Sequence, residues 1–333
     1  MLAPRVDRRL AAVLGRDRAG PPSLSDLVEA GCDQLPLPGG GRTLERWQAL
    51  AAVAASDLSL VKRFEGHTDA LAILAELGGV EPSVGSRWGT WCAEPPSARV
   101  ALRRRGDRWV LEGTKAWCSG ASDVTHALVS CWDDDGAARL AAVAMAQPGV
   151  QITDQGWHAV GMASTGSVDV VFDGALAIPV GDAGDYVARA GFWQGGAGIA
   201  ACWYGGAAGI AAMTRDLAGP KPDAHKLAHL GAIDVSLAGA AAVLRETAAW
   251  IDEQPSSLAH QPALRARLVI EAAATSVLAH AGRAMGAGPL CRDPKVARAM
   301  ADLPVFLRQS HAERDLAALG ESLLPTQESP WAL

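Results

Sequence analysis

The stretch GDRWVLEGTKAWCSGASDVTHALV, residues 106–129, decides how the chain is read. Apolar and polar residues alternate through its strand-like parts with a period of two, which is the pattern of half-buried strands and not of helix. Working outward, the same period marks candidate strands at 99–104, 108–111, 127–131, 140–144, 150–153, 168–172 and 176–179. The turn-forming runs RRGD, DDDG, QPG, TGS and DG separate them. Short strands this close together, with no helix between them, predict a small antiparallel barrel or sandwich and argue against a parallel Rossmann sheet.

On either side the period changes. Residues 43–55 and 59–77 carry apolar residues at three- and four-residue spacing, so they are expected to be helices. Ser25 and Asp26 offer a helix start, Gly78-Gly79 closes the last segment, and LPLPGGGRT (35–43) is a loop. After Asp182, helices are expected at 186–217, 223–253, 262–287 and 294–320, punctuated by Pro220, Pro222, Pro262, Pro289 and Pro294. The chain is therefore expected to be α+β. Its parts are an N-terminal helical domain (1–84), a middle β domain (85–182) and a C-terminal four-helix bundle (183–333).

Bulk properties narrow the function classes. With 49% apolar and 20% charged residues the chain can bury a large core, and its net charge of −6 gives no general pull towards nucleic acid or anionic membrane. Six cysteines (Cys32, Cys92, Cys118, Cys131, Cys202, Cys291) form no tight pair, which predicts reduced thiols and a cytoplasmic location. The first residues, MLAPRVDRRLAAVLGRDR, carry Asp7 and Asp17 and lack the apolar run of a secretory signal; they read as an amphipathic helix. Residues 191–214 hold no charge and are long enough to span a bilayer. They are mostly glycine and alanine, so a tightly packed interior helix is expected.

Three middle segments resemble the acyl-CoA dehydrogenase family, in order and in spacing. WCAEPP (91–96) resembles its T-E-P strand, and residues 106–129 resemble its G-x-K-x-(W/Y)-(I/C)-(T/S) strand. WHAVGMASTGSVDVVFDGALAIP (157–179) resembles its W-x-x-x-G-M-R run and the strand that follows. The resemblance covers residues 85–185, and the helical flanks only by architecture. It implies a small β-barrel or sandwich between helical domains, FAD as cofactor, and an assembly of two or four copies. The implied reaction is α,β-dehydrogenation of acyl-CoA or a related thioester. A carboxylate takes the α-proton, the β-hydride passes to the flavin, and an electron-transfer flavoprotein is a possible acceptor.

The resemblance also implies site residues. Trp117 would lie against one face of the flavin ring, with Cys118 beside it. Ser119, two residues on and so on the same strand face, would hydrogen-bond the ring or its chain. A core tryptophan with an incidental serine is the alternative. Gly113 and Lys115 are read as turn residues. Among Trp157, Gly161, Thr165, Gly166 and Ser167, the last is a candidate substrate contact, as is Glu94; turn chemistry explains the same residues. Gly286 in MGAG and Arg314 match cofactor-contacting positions.

The sequence also departs from the family. Ala93 replaces the threonine of T-E-P, PPSAR shortens the following loop, Ala163 replaces the arginine of G-M-R, and GPKPDAHKLAHL stands where R-x-x-F-G is usual. Glu321 is the candidate base, in G-E-S and slightly early; Glu246 is an outside candidate. His311, one turn before Asp315, is the other acid/base candidate, because related flavin monooxygenases often lack the glutamate. A flavin-dependent monooxygenase is thus the alternative function, and a non-catalytic partner subunit a third. His225 and His229 are spaced as a two-ligand metal face with no third ligand visible. GGAGIAACWYGG mimics a dinucleotide fingerprint without a preceding strand.

Overall fold

A computed structural model of the chain describes residues 8–15, 22–324, 329 and 331. Its first elements are α1 (Arg8–Leu14), α2 (Leu24–Glu29), α3 (Thr43–Ser56) and α4 (Leu58–Leu77). The strands follow as β1 (Trp88–Trp91), β2 (Val100–Arg105), β3 (Arg108–Cys118), β4 (His126–Trp132), β5 (Ala138–Ala144), β6 (Val150–Ile152) and β7 (Val168–Val180). The remaining helices are α5 (Asp185–Ala188), α6 (Gly191–Gly196), α7 (Gly198–Asp216), α8 (Ala224–Glu253), α9 (His260–Met285), α10 (Ala287–Arg292), α11 (Pro294–Leu307) and α12 (Glu313–Leu323). They form two compact units, one of Met1–Pro38 with Ser59–Phe192, the other of Gly39–Leu58 with Trp193–Leu333. The boundaries expected at 84/85 and 182/183 cut the chain differently: α3 groups with the C-terminal helices and most of α4 with the strands. Of the expected N-terminal helix, Asp7 and Asp17 lie outside the described residues.

In the first unit the strands run β4-β2-β3-β7-β5, and β5 returns to pair with β4, closing a small barrel. β1 extends it beside β4, and β6 pairs with β7. The expected purely antiparallel sheet is corrected, because β1–β4 and β2–β4 are parallel. β3 and β7 are each one long strand where shorter ones were expected. The Asp173-Gly174 pair is a bulge and not a turn. Opposite it the register passes from Leu111↔Ala175 to Glu112↔Asp173, and Gly174 at φ 70° takes up the extra residue. Gly113, at φ 118°, is required because a Cβ there would run into the Arg99 carbonyl. On the barrel's outside α4 lays Ala70, Ile73 and Leu74 against Trp88, Leu128, Leu140, Ala142 and Val180.

Lys115 is no turn residue. It lies within β3, 1% exposed, and its Nζ donates to Glu94 Oε1 (2.9 Å), Ser130 O (2.9 Å) and Ser130 Oγ (2.7 Å). A buried ammonium is tolerable only when paired and hydrogen-bonded in this way. Glu94 completes the cluster by accepting from Ser130 Oγ and from Trp132 Nε1 (2.7 Å). Burial alone would raise the Glu94 carboxyl. The hydrogen bonds from Ser130, Lys115 and Trp132, with the Lys115 charge, outweigh it and hold the carboxyl below its ordinary value.

In the second unit the uncharged stretch is an interior helix, as expected: α7 buries Gly205, Gly206, Ala207 and Ile210. Its glycines let two backbones meet, and a Cβ on Gly209 would stand 2.7 Å from the Ala55 carbonyl oxygen of α3. The C-terminal helical bundle departs from the expected helix bounds in two ways. α3 joins it from upstream, and two of its expected helices are broken. Residues 186–217 divide into α5, α6 and α7, with Arg189 extended at the first break; residues 294–320 divide into α11 and α12, with Ala312 at φ 47°. By length and composition alone, both residues 191–216 and α8 could cross a membrane.

Two outcomes follow from this packing. Gly209→Leu should lower unfolding stability by about 1–3 kcal/mol or more in a urea titration, since α3 has no room for the side chain. Glu94→Gln should be less stable than the parent chain at pH 7. The folded carboxyl titrates below the ordinary 4.5, so its contribution is fully present above that value and lost as pH falls through the lowered one. The two urea midpoints should therefore converge on acidification; a gap that stays constant would show that the charge contributes nothing.

Candidate functional site

At the end of β3 the backbone leaves regular strand geometry. Strand alternation would put residues 115 and 117 on one face, yet Lys115 is buried and Trp117 is 50% exposed. The cause is Trp117 itself, whose φ of 59° lies in the left-handed region that a bulky residue rarely enters. The register shift between Lys115 and Cys118 falls at the same place. An outlier of this kind persists only where its surroundings hold it. Here Ser119 N–H donates to Trp117 O (2.9 Å), Trp91 Nε1 donates to Ser119 O (3.1 Å), and Gly120 N–H donates to Thr165 O (2.8 Å).

The last of these bonds ties this turn to residues 162–167. Met162 is also left-handed, at φ 60°, and opens a single 3₁₀ turn, Ala163–Thr165. Between the two segments runs a chain of hydroxyls. Ser119 Oγ lies 2.8 Å from Ser167 Oγ, Ser167 Oγ lies 2.8 Å from Thr165 Oγ1, and Thr165 Oγ1 donates to Met162 O at 2.8 Å. Thr165 and Ser167 are buried, while Ser119 is half-buried. The site is an exposed indole beside a hydroxyl whose inner partners are dry. A planar ring could rest on the first and hydrogen-bond the second.

The structure thus brings Trp117, Ser119 and Ser167 together, and adds Thr165 and Met162 to them. It does not bring all the candidates with them. Cys118 is fully buried, its Sγ donates to Lys115 O (3.2 Å), and burial pushes the thiol far up, so its side chain faces the core and no ligand. Ser167 is 4% exposed, with its Oγ hydrogen-bonded to Ser119 Oγ. Glu94 is exposed and is engaged by Lys115, Ser130 and Trp132. Thr165 could have been found from its i, i+2 spacing to Ser167. Lys115 carried no signal, because a lysine between strands reads as surface.

Five candidates lie in the second unit. Gly286 ends α9 at φ 68°. Arg314 is exposed in the first turn of α12, and Glu321 is exposed near its end. His311 pairs with Asp315 as its spacing suggested: its N–H donates to Oδ2 (3.1 Å) and Nδ1 lies 3.3 Å from Oδ1. Glu246 is exposed on α8. His229 Nδ1 lies 3.0 Å from His280 Nδ1, but no three potential metal ligands gather among the described residues. A cavity of about 610 Å³ lies elsewhere in the first unit, lined by Val80, Trp88, Trp109, His126 and Ile178, and none of the hydroxyl chain reaches it.

Comparisons with known proteins bear on the fold. Residues 79–175 match the family described as acyl-CoA dehydrogenase, middle domain. The amino sugar nitrososynthase DnmZ of Streptomyces peucetius is 42% identical over 79 residues, a match spanning 22% of this chain and only 19% of that protein. Among solved structures, the dibenzothiophene monooxygenase TdsC of Paenibacillus sp. A11-2, crystallised with FMN and indole, superposes with a TM-score of 0.77. It is 20% identical, over 95% of this chain and 94% of that one. The methanesulfinate monooxygenase MsuC of Pseudomonas fluorescens gives 0.78, at 20% identity over 95% and 94%. Residues 79–175 are thus similar to the family's middle domain, and the chain has an acyl-CoA dehydrogenase-like fold.

Proposed function

We propose that the chain is a flavin-dependent monooxygenase that uses FMN and oxygenates a nitrogen or sulfur centre of a small organic substrate. The observation that carries this reading is the half-exposed Trp117, held left-handed beside the Ser119 hydroxyl. These residues fit the ring of a flavin: Trp117 would cover one face and keep water away, and Ser119 would meet the polar edge. They fit FMN better than FAD. The shortened PPSAR loop and the GPKPDAHKLAHL segment lack the serine and the arginine that the family resemblance implies at the FAD diphosphate, and FMN has no diphosphate to hold. The named activities of TdsC, MsuC and DnmZ support the substrate class. When bound, the reduced flavin would supply two electrons to dioxygen, so that substrate, dioxygen and reduced flavin give oxygenated substrate, water and oxidised flavin.

A second reading keeps one observation in its favour. Glu321 is an exposed carboxylate on the last described helix, in the stretch where the family resemblance expects a base. An FAD-dependent dehydrogenase of an acyl thioester, passing electrons to an electron-transfer flavoprotein, would use it. Anaerobic addition of a panel of acyl-CoA thioesters to the flavin-loaded protein separates the two. Loss of the oxidised-flavin absorbance there supports the dehydrogenase and overturns the monooxygenase. The expected result is no bleaching, together with oxygen-dependent transfer of one oxygen atom to a thioether or primary amine when reduced FMN is supplied. Trp117→Ala should weaken FMN binding roughly three- to tenfold, the worth of one aromatic stacking contact.

A further inference from the structure

We infer that the cavity of about 610 Å³ in the first unit is a second binding site, for an aromatic zwitterion whose ring carries an N–H or O–H donor. Aromatic amino acids are the class of ligand that meets this description. The walls are apolar, formed by Val80, Trp88, Trp109, Leu176, Ile178 and Pro179. Leu176 and Ile178 are 47% and 52% exposed, so a ligand seated there removes apolar surface from water. The polar groups of the cavity are few, and each calls for a particular partner.

At one end stands His126, and counting protons fixes what it offers. Arg87 N–H donates to Thr125 Oγ1 (2.9 Å), and Thr125 Oγ1 donates to Arg87 O (3.0 Å). A threonine hydroxyl has one proton to give. The 2.9 Å contact between Thr125 Oγ1 and His126 Nδ1 therefore needs its proton on Nδ1. Burial holds the imidazole below its ordinary value, so at pH 7 the ring is neutral. Nε2 then carries a lone pair, and nothing among the described residues donates to it. Stacking on Trp88, with 4.7 Å between centroids and 20° between planes, keeps the ring in place. A ligand that satisfies Nε2 brings a donor.

At the other end the β2–β3 hairpin supplies two opposite charges. Arg103 and Arg105 are paired with Asp134 and Glu112, and Arg104 lies over the Trp109 ring. Asp107 and Arg108 both line the cavity, yet neither has an ion-pair partner among the described residues. A carboxylate beside a guanidinium matches an ammonium and a carboxylate carried on one ligand carbon. The span between the two ends follows from the sheet. β4, β5, β7 and β3 are successive neighbours there, through His126↔Ala144, Val143↔Ala177 and Trp109↔Ala177. Three gaps of about 4.8 Å make roughly 14 Å of sheet. That is the span of an aromatic amino acid together with the two side chains that hold its ends.

The test is calorimetric titration of the full chain with L-tryptophan and with three analogues, each lacking one group. L-tryptophan should bind with a Kd below about 1 mM. Tryptamine lacks the carboxylate, indole-3-propionate the ammonium, and 1-methyl-L-tryptophan the ring N–H. The first two should bind roughly two- to fivefold more weakly, the worth of an exposed ion pair. The third should lose roughly three- to tenfold, the worth of one hydrogen bond. Each loss should vanish in the matching variant: Arg108→Gln for tryptamine, Asp107→Asn for indole-3-propionate, and His126→Phe for 1-methyl-L-tryptophan. Asp107 and Arg108 are exposed, so their variants fold and keep the test decisive if His126→Phe does not. Trp117→Ala should leave L-tryptophan binding unchanged. No binding below about 1 mM, an affinity unmoved in folded Arg108→Gln and Asp107→Asn, or a loss confined to Trp117→Ala overturns the inference.

Discussion

The barrel of the first unit depends on how β3 resolves a conflict between two of its own side chains. Lys115 must point inward, where Glu94 and Ser130 accept its protons, and a strand repeats its facing every second residue. Obeyed strictly, that rule would bury Trp117 beside the ammonium. The left-handed backbone at Trp117 breaks the repeat, sends the indole to the surface and turns Cys118 into the core. Such a conformation costs about 1–3 kcal/mol for a non-glycine residue. The sheet around it offsets this: β3 is paired on one side with β2 and on the other with β7 up to and beyond the bulge. The ion pair and the exposed indole are two results of one backbone irregularity.

That irregularity also marks where the sequence stops being readable. The strands themselves were legible, because alternation and turn residues are local signals. Their continuity was not. Asp173-Gly174 has the composition of a two-residue turn, and only the partner strand decides that it is a bulge. The parallel pairings of β4 with β1 and β2 join residues 31 to 38 positions apart, so no local pattern encodes them. The same holds for α3. Its amphipathic period predicts a helix, but its place among the C-terminal helices follows from the glycines of α7, more than 150 positions away.

For the candidate site, three of the residues expected from the sequence come together in the structure, but not in the directions expected. Trp117, Ser119 and Ser167 were found through a family resemblance, on the assumption that Trp117 and Ser119 share a strand face. They do not lie on a regular strand, and Ser119 follows the last residue of β3. Glu94 and Cys118 are ligand contacts that the resemblance implies, each from within one of its motifs. Both turned out to face other protein groups, one because a buried lysine needs it and the other because the left-handed tryptophan before it turns it inward.

Two of the four non-glycine residues with left-handed backbones among the described residues, Trp117 and Met162, stand at the two ends of the hydroxyl chain. Their positions make that chain possible. At Met162 the turn gathers three donors, Thr165 N, Thr165 Oγ1 and Trp157 Nε1, onto one carbonyl. At Trp117 the turn carries Ser119 off the strand and over Ser167, while Gly120 N–H locks the two segments together through Thr165 O. An ordinary strand at either position would leave the hydroxyls apart. A single left-handed residue could be an accident of loop closure. Two, joined by a backbone hydrogen bond and a chain of hydroxyl contacts, are better explained as strain retained for the candidate site that they build.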